Sequence, residues 1–124
     1  MTRARAHRGR GAATAELAMV LPLLVAVAIG LVWLLAVGAA QLRTVDAARE
    51  TARALARGDE EGAAVARGLE VAPAGSAVAV SRGAGEVRVT VTGRVEGPGG
   101  LFAQLPSPRL RAEAVATDEG EVGP

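Results

Sequence analysis

"QLRTVDAARETARALAR", residues 41–57, is the stretch on which the fold turns. Leu42, Val45, Ala48, Ala52 and Leu55 recur at three- and four-residue steps, the spacing of one helix face. Arg43, Asp46, Arg49, Glu50, Arg53 and Arg57 cover the other faces. Asp46–Arg49 and Glu50–Arg53 are i,i+3 pairs of opposite sign, worth a few tenths of a kcal/mol each. The stripe is narrow and made of small residues, so this helix needs something flat to lie on. What flanks it decides what that is.

On the N-terminal side, "LAMVLPLLVAVAIGLVWLLAVGAA", residues 17–40, carries no charge. As a helix it reaches about 36 Å at ~1.5 Å per residue, enough for a hydrocarbon core of roughly 30 Å. The rest of the chain is too short and too polar to wrap such a segment, so it reads as a membrane span that continues outward into residues 41–57. Pro22 removes one backbone hydrogen bond and introduces a kink, which a membrane helix tolerates. Ala26 and Gly30 offer a small-residue face for close helix packing, a spacing that an alanine-rich span also yields by chance.

Before the span lies "MTRARAHRGRG", residues 1–11, short, basic and expected to be disordered. The chain has 14 basic and 13 acidic residues, a net charge of +1. Four of the arginines precede residue 11; the 10 that remain face 13 acids, a net −3. The basic balance therefore belongs to the leader and gives no argument for nucleic-acid binding. Arginines before the span and a sparse net charge after it predict an N-terminus in the cytoplasm and a C-terminus outside.

On the C-terminal side, Gly58 is placed to stop the helix, and Asp59 to cap a second short helix over residues 60–67. "ARGLEVAPAG" reads as linker. "AVAV" (77–80), "EVRVTVTGRVE" (86–96) and "RLRAEAVAT" (109–117) alternate with period two, as strands do. Val87, Val89, Val91 and Val95 share a face; Arg88, Thr90, Thr92 and Arg94 share the other. Leu110, Ala112, Ala114 and Ala116 oppose Arg111, Glu113, Val115 and Thr117. "SRGAGE" is a hairpin turn. "GPGGLFAQLPSP" is a longer connection whose Leu101, Phe102 and Leu105 are expected on the sheet. Three strands with one apolar face do not stand alone, and the stripe of residues 41–57 is the available cover. The predicted class is α+β: a long N-terminal helix, transmembrane and extending beyond the membrane, packed on a small three-stranded antiparallel sheet. Its parts are a leader (1–11), the long helix (12–57), a short helix and linker (58–76), the sheet (77–118) and a disordered tail (119–124).

No catalytic or cofactor chemistry follows from the residues. There is no cysteine, which excludes disulfides and thiolate metal sites. The one histidine, His7, is in the leader. "GAGEVR" lacks the third glycine and the following helix of a dinucleotide loop. Asp59, Glu60 and Glu61 read as a solvated helix N-terminus rather than a cation site. "RGD" at 57–59 is explained by a helix stop followed by a cap. We expect no enzyme, no metal, no cofactor, no small-molecule substrate and no nucleic acid.

One residue is out of place. Glu16, in "GAATAE" (11–16), puts a carboxylate at the mouth of the span, where lipid penalises charge. A secretory signal does not explain it, since the apolar run is too long before the small-residue site "VGAA" at 37–40. A basic leader, a glycine, four small residues, a glutamate and an apolar span instead resemble the leader of type IV pilins, cut by prepilin peptidase. The resemblance implies a cut between Gly11 and Ala12, with Glu16 fifth in the mature chain. "AELAMVLPLL", "VDAARETARALARGD", "VRVTVTGRVE" and "RLRAEAVAT" together look like the TadE family of Flp/Tad pilus proteins, closest to short actinobacterial members described as minor pilins.

That likeness implies a minor pilin or pseudopilin with prepilin peptidase, other pilins and pseudopilins, and the membrane as partners. It also implies a place in the cytoplasmic membrane or in a pilus. The bulk filament subunits carry a tyrosine after the glutamate, where this chain has Leu17, and their bodies are shorter. Once cut, Ala12 would present an ammonium that Glu16 of a neighbouring subunit can pair with, setting register in a low-dielectric bundle. The alternative is a single-span or secreted small binding domain with no pilus role.

Overall fold

The computed structural model describes residues 3–97, 103, 105 and 107–119. Helix α1 spans Arg3–Ala56, and α2 spans Glu61–Val71. Strands β1 (Ala77–Gly83), β2 (Glu86–Arg94) and β3 (Arg109–Thr117) follow. The chain divides into two units, Met1–Leu35 and Ala36–Pro124, and the division falls inside α1.

The first unit is helix alone. The expectation of a disordered leader is corrected: α1 begins at Arg3 and takes in Gly9 and Gly11. Arginine and alanine are good helix formers and no proline stands before Pro22, so nothing in the leader's composition stops the helix. Pro22 sits within α1 without ending it.

The second unit is the helix–sheet fold. The strands run β1-β2-β3, each antiparallel to its neighbour. β2 is central, and its Val87, Val89 and Val91 are fully buried. On β3, Leu110 and Ala112 are buried on the same side. Ala47, Ala48, Ala52, Ala54 and Leu55 of α1 and Ala64 of α2 complete the core with Val87, Val89, Val91 and Ala112. The parity of the strands is thus as read from the sequence.

The helix face is broader than the stripe. Ala48, Ala52 and Leu55 are buried and Val45 packs at the margin, but Leu42 is 67% exposed. Thr44, Ala47, Thr51 and Ala54 are buried as well. Part of this added seam is the contact with α2: a Cβ at Gly68 would collide with Thr51 Oγ1 and come within 3.2 Å of Ala47 O. The two buried hydroxyls are satisfied locally, Thr44 donating to Ala40 O at 2.8 Å and Thr51 to Ala47 O at 2.9 Å. Of the two expected i,i+3 pairs, Glu50–Arg53 closes at 3.5 Å and Asp46–Arg49 does not.

Gly58 stops α1 with φ +88°, as its position suggested. The cap of α2 is corrected. Glu60, not Asp59, accepts from Gly62 N at 3.0 Å and Ala63 N at 3.2 Å. Asp59 instead accepts from Arg57 at 3.4 Å and Arg67 at 3.2 Å. α2 also runs on to Val71, so most of the expected linker is helix. Ala84 (φ 53°) and Gly85 (φ 75°) make the two-residue β1–β2 turn, both in the left-handed region that matches strand twist. Leu105, expected on the sheet, is exposed. Leu101, Phe102 and tail residues 120–124 lie outside the described residues.

Candidate assembly segment

The proposed processing and assembly residues all lie on the first unit's helix. Thr14 Oγ1 donates to Arg10 O at 2.8 Å, an i,i−4 bond across the turn that contains Gly11 and Ala12. Nothing lies within 4 Å of the place a Cβ would take at Gly11. Gly11 and Ala12 are helical, so a protease that requires an extended strand must unwind this turn first. Glu16 is exposed and makes no ion pair among the described residues. It stands four residues beyond Ala12, on the same face of the helix.

Beyond Glu16 the surface is apolar and open. Leu17, Met19, Leu21, Leu23, Leu24, Leu31, Val32, Leu34 and Leu35 are all exposed. This is the one helix among the described residues long and apolar enough to cross a membrane. Its most apolar window has a mean hydropathy of 2.8 and is 0% buried in the chain. The core helix of a water-soluble fold is mostly buried instead. Ala26 is exposed and Gly30 half-buried, one turn apart, and a Cβ at Gly30 would meet nothing within 4 Å. The small face is therefore without a partner at Gly30 among the described residues. Trp33 Nε1 is covered by its surroundings and has no hydrogen-bond partner among the described residues.

The helix–sheet unit adds a feature that the sequence reading passed over. A shallow depression of about 1140 Å³ opens at one end of the sheet, lined by Gly75, Thr92, Arg94, Glu96, Arg109 and Arg111 among others. Alternation had put Arg94 and Arg111 on the outward faces of their strands, but not on neighbouring positions. The register that pairs Arg94 with Arg109 and Thr92 with Arg111 was the missing signal. Among the described residues no three His, Asp or Glu side chains gather as metal ligands.

Residues 11–53 match the family described as TadE-like protein. The match begins at Gly11, covers the apolar run and ends near the end of α1, before α2 and the sheet. No curated protein and no solved structure matches the chain.

Proposed function

We propose that the chain, whose residues 11–53 match the TadE-like family, is a minor pilin or pseudopilin of a Tad-type pilus. Prepilin peptidase cuts it between Gly11 and Ala12. The mature chain stays in the cytoplasmic membrane by residues 17–40, with the helix–sheet unit outside, and joins other pilins and pseudopilins there or in the filament.

The observation that carries this reading is the coincidence of three things in one helix. The family match starts at the glycine of the leader pattern, the most apolar window is unburied, and Glu16 stands at its mouth without an ionic partner among the described residues. A carboxylate in that place costs free energy in a lone anchor. In a bundle it is offset by the new ammonium of a neighbour's Ala12, and the pair is strong because lipid gives little screening. The unpartnered Ala26–Gly30 face supplies a place for helices to approach closely.

Mass spectrometry of the chain purified from membranes tests it. The reading expects an N-terminus at Ala12. An N-terminus at Met1 or Thr2 refutes processing. One at Gln41 makes the apolar run a secretory signal and the product a secreted binding domain.

A further inference from the structure

The outward face of the sheet is unevenly charged. Near its middle, Arg88 donates to Glu113 at 2.6 Å, and Arg111 lies 3.9 Å from the same carboxylate. At the last step of the β2–β3 ladder, Arg94 stands directly opposite Arg109. Like charges in that position oppose strand pairing. Both side chains are exposed and neither has an ion pair among the described residues. Glu96 lines the same depression and bridges neither of them. The connection from Gly97 to Pro108 contains no charged residue, so its sequence has no acid to offer. A chain that is net acidic beyond its leader thus keeps two arginines opposite each other without a counterion among the described residues.

Two contacts fix which end of the sheet this is. At one end of α1's outer half, Gln41 Nε2 donates to Arg111 O at 3.2 Å. At the other, past the end of α1, Arg82 reaches Glu61 at 3.8 Å and Asp118 at 3.0 Å. The Arg94–Arg109 end is therefore the Gln41 end. Gln41 is the first polar residue after the uncharged run that closes at Ala40. Arg109 lies two residues beyond Arg111, roughly 6.6 Å along the strand. The uncharged run, about 36 Å as a helix, exceeds a hydrocarbon core of roughly 30 Å by a similar distance, which leaves its last turn, and Arg109 at that level, among the headgroups.

We propose that the Arg94–Arg109 face is a seat for anionic lipid headgroups, holding the helix–sheet unit down on the membrane surface. The proposal rests on residues 17–40 spanning the membrane. It does not depend on cleavage or on a pilus. Guanidinium groups meet phosphate oxygens through two parallel N–H donors, a fit that an exposed arginine pair in an open depression allows. Lipid is the occupant because the surface that always lies at the end of the apolar run is the bilayer. Each arginine within a screening length of an anionic surface strengthens attachment by about fivefold, and salt weakens it.

The test uses the full chain, whose lack of cysteine allows a single Ser107→Cys spin label beside Arg109. It is placed in nanodiscs of phosphatidylcholine, with or without phosphatidylglycerol. With phosphatidylglycerol at low salt, the label is expected to become shielded from a water-soluble nickel chelate, and salt should reverse this. Arg94→Gln and Arg109→Gln should each weaken the shielding about fivefold. In both variants the sheet should melt at the same temperature or higher, because a like-charge contact is gone. Lower melting would make these arginines structural and overturn the proposal. So would shielding that ignores phosphatidylglycerol, or a label open to water in both discs. Shielding produced in phosphatidylcholine discs by added polyglutamate would assign the face to an acidic protein instead. Failure of the chain to enter discs at all would overturn the membrane span, and this proposal with it. Entry with an unshielded label overturns this proposal alone.

Discussion

Gly11 and Glu16 stand little more than one helical turn apart, yet their proposed roles separate on mutation. Gly11→Val puts a branched side chain where the extended backbone enters the peptidase, so the chain should keep its 11-residue leader and accumulate in the membrane. Glu16→Ala removes a charge from the edge of lipid, so it should insert at least as well and still be cut. It should assemble poorly, because a neighbour's Ala12 ammonium has lost its partner. Intact mass and the fraction recovered with other pilins read the two effects separately. Ala84 makes a different point. It holds φ 53° in the β1–β2 turn, a conformation that costs an L-residue roughly 1–2 kcal/mol. Ala84→Asn, followed by Gly85, restores the preferred pair for this turn. It should stabilise the helix–sheet unit by about 0.5–1 kcal/mol in denaturant titration.

At the scale of elements, the strands were legible and the helix contacts only half so. Val87, Val89 and Val91 alternate with charged and hydroxyl residues, and period two leaves only one way to bury them. α1 gave a narrower signal than its true face. Its apolar stripe named Ala48, Ala52 and Leu55 correctly, but it included Leu42, which no element covers. It missed Thr44 and Thr51, which count as polar until their hydroxyls turn back onto the helix's own carbonyls. The partner of that second seam was hidden too. Gly68 and the nearby Pro73 made residues 66–75 look like linker. In the structure Gly68 is a helix residue chosen for lack of a side chain, because Thr51 and Ala47 occupy the space. Gly68→Val should therefore destabilise the unit by about 3 kcal/mol through overpacking, despite removing a helix-weakening glycine. Thermal unfolding followed by circular dichroism measures this.

For the whole molecule, the segment proposed for assembly was readable because lipid and water impose such different rules. Charge is absent from residues 17–40 and frequent on either side, and no packing detail is needed to see it. The Arg94–Arg109 face could not be found in this way, since strand register is a long-range property that alternation does not contain. The asymmetry of charge about the span predicts topology: a reporter enzyme fused after residue 124 should be active only outside the cytoplasm. Activity inside would reverse the orientation and leave the fold untouched.

The largest fully buried side chains are Val87, Val89, Val91, Thr44 and Thr51, and alanines fill most of the remaining core. Such a core removes little hydrocarbon from water when it forms. The heat-capacity increase on melting scales with that hydrocarbon, and it should fall below the usual ~12–15 cal/mol/K per residue. A small increment flattens the curve of stability against temperature. The helix–sheet unit should then vary little in stability between cold and warm surroundings, and differential scanning calorimetry would show a small heat-capacity step between the folded and unfolded baselines.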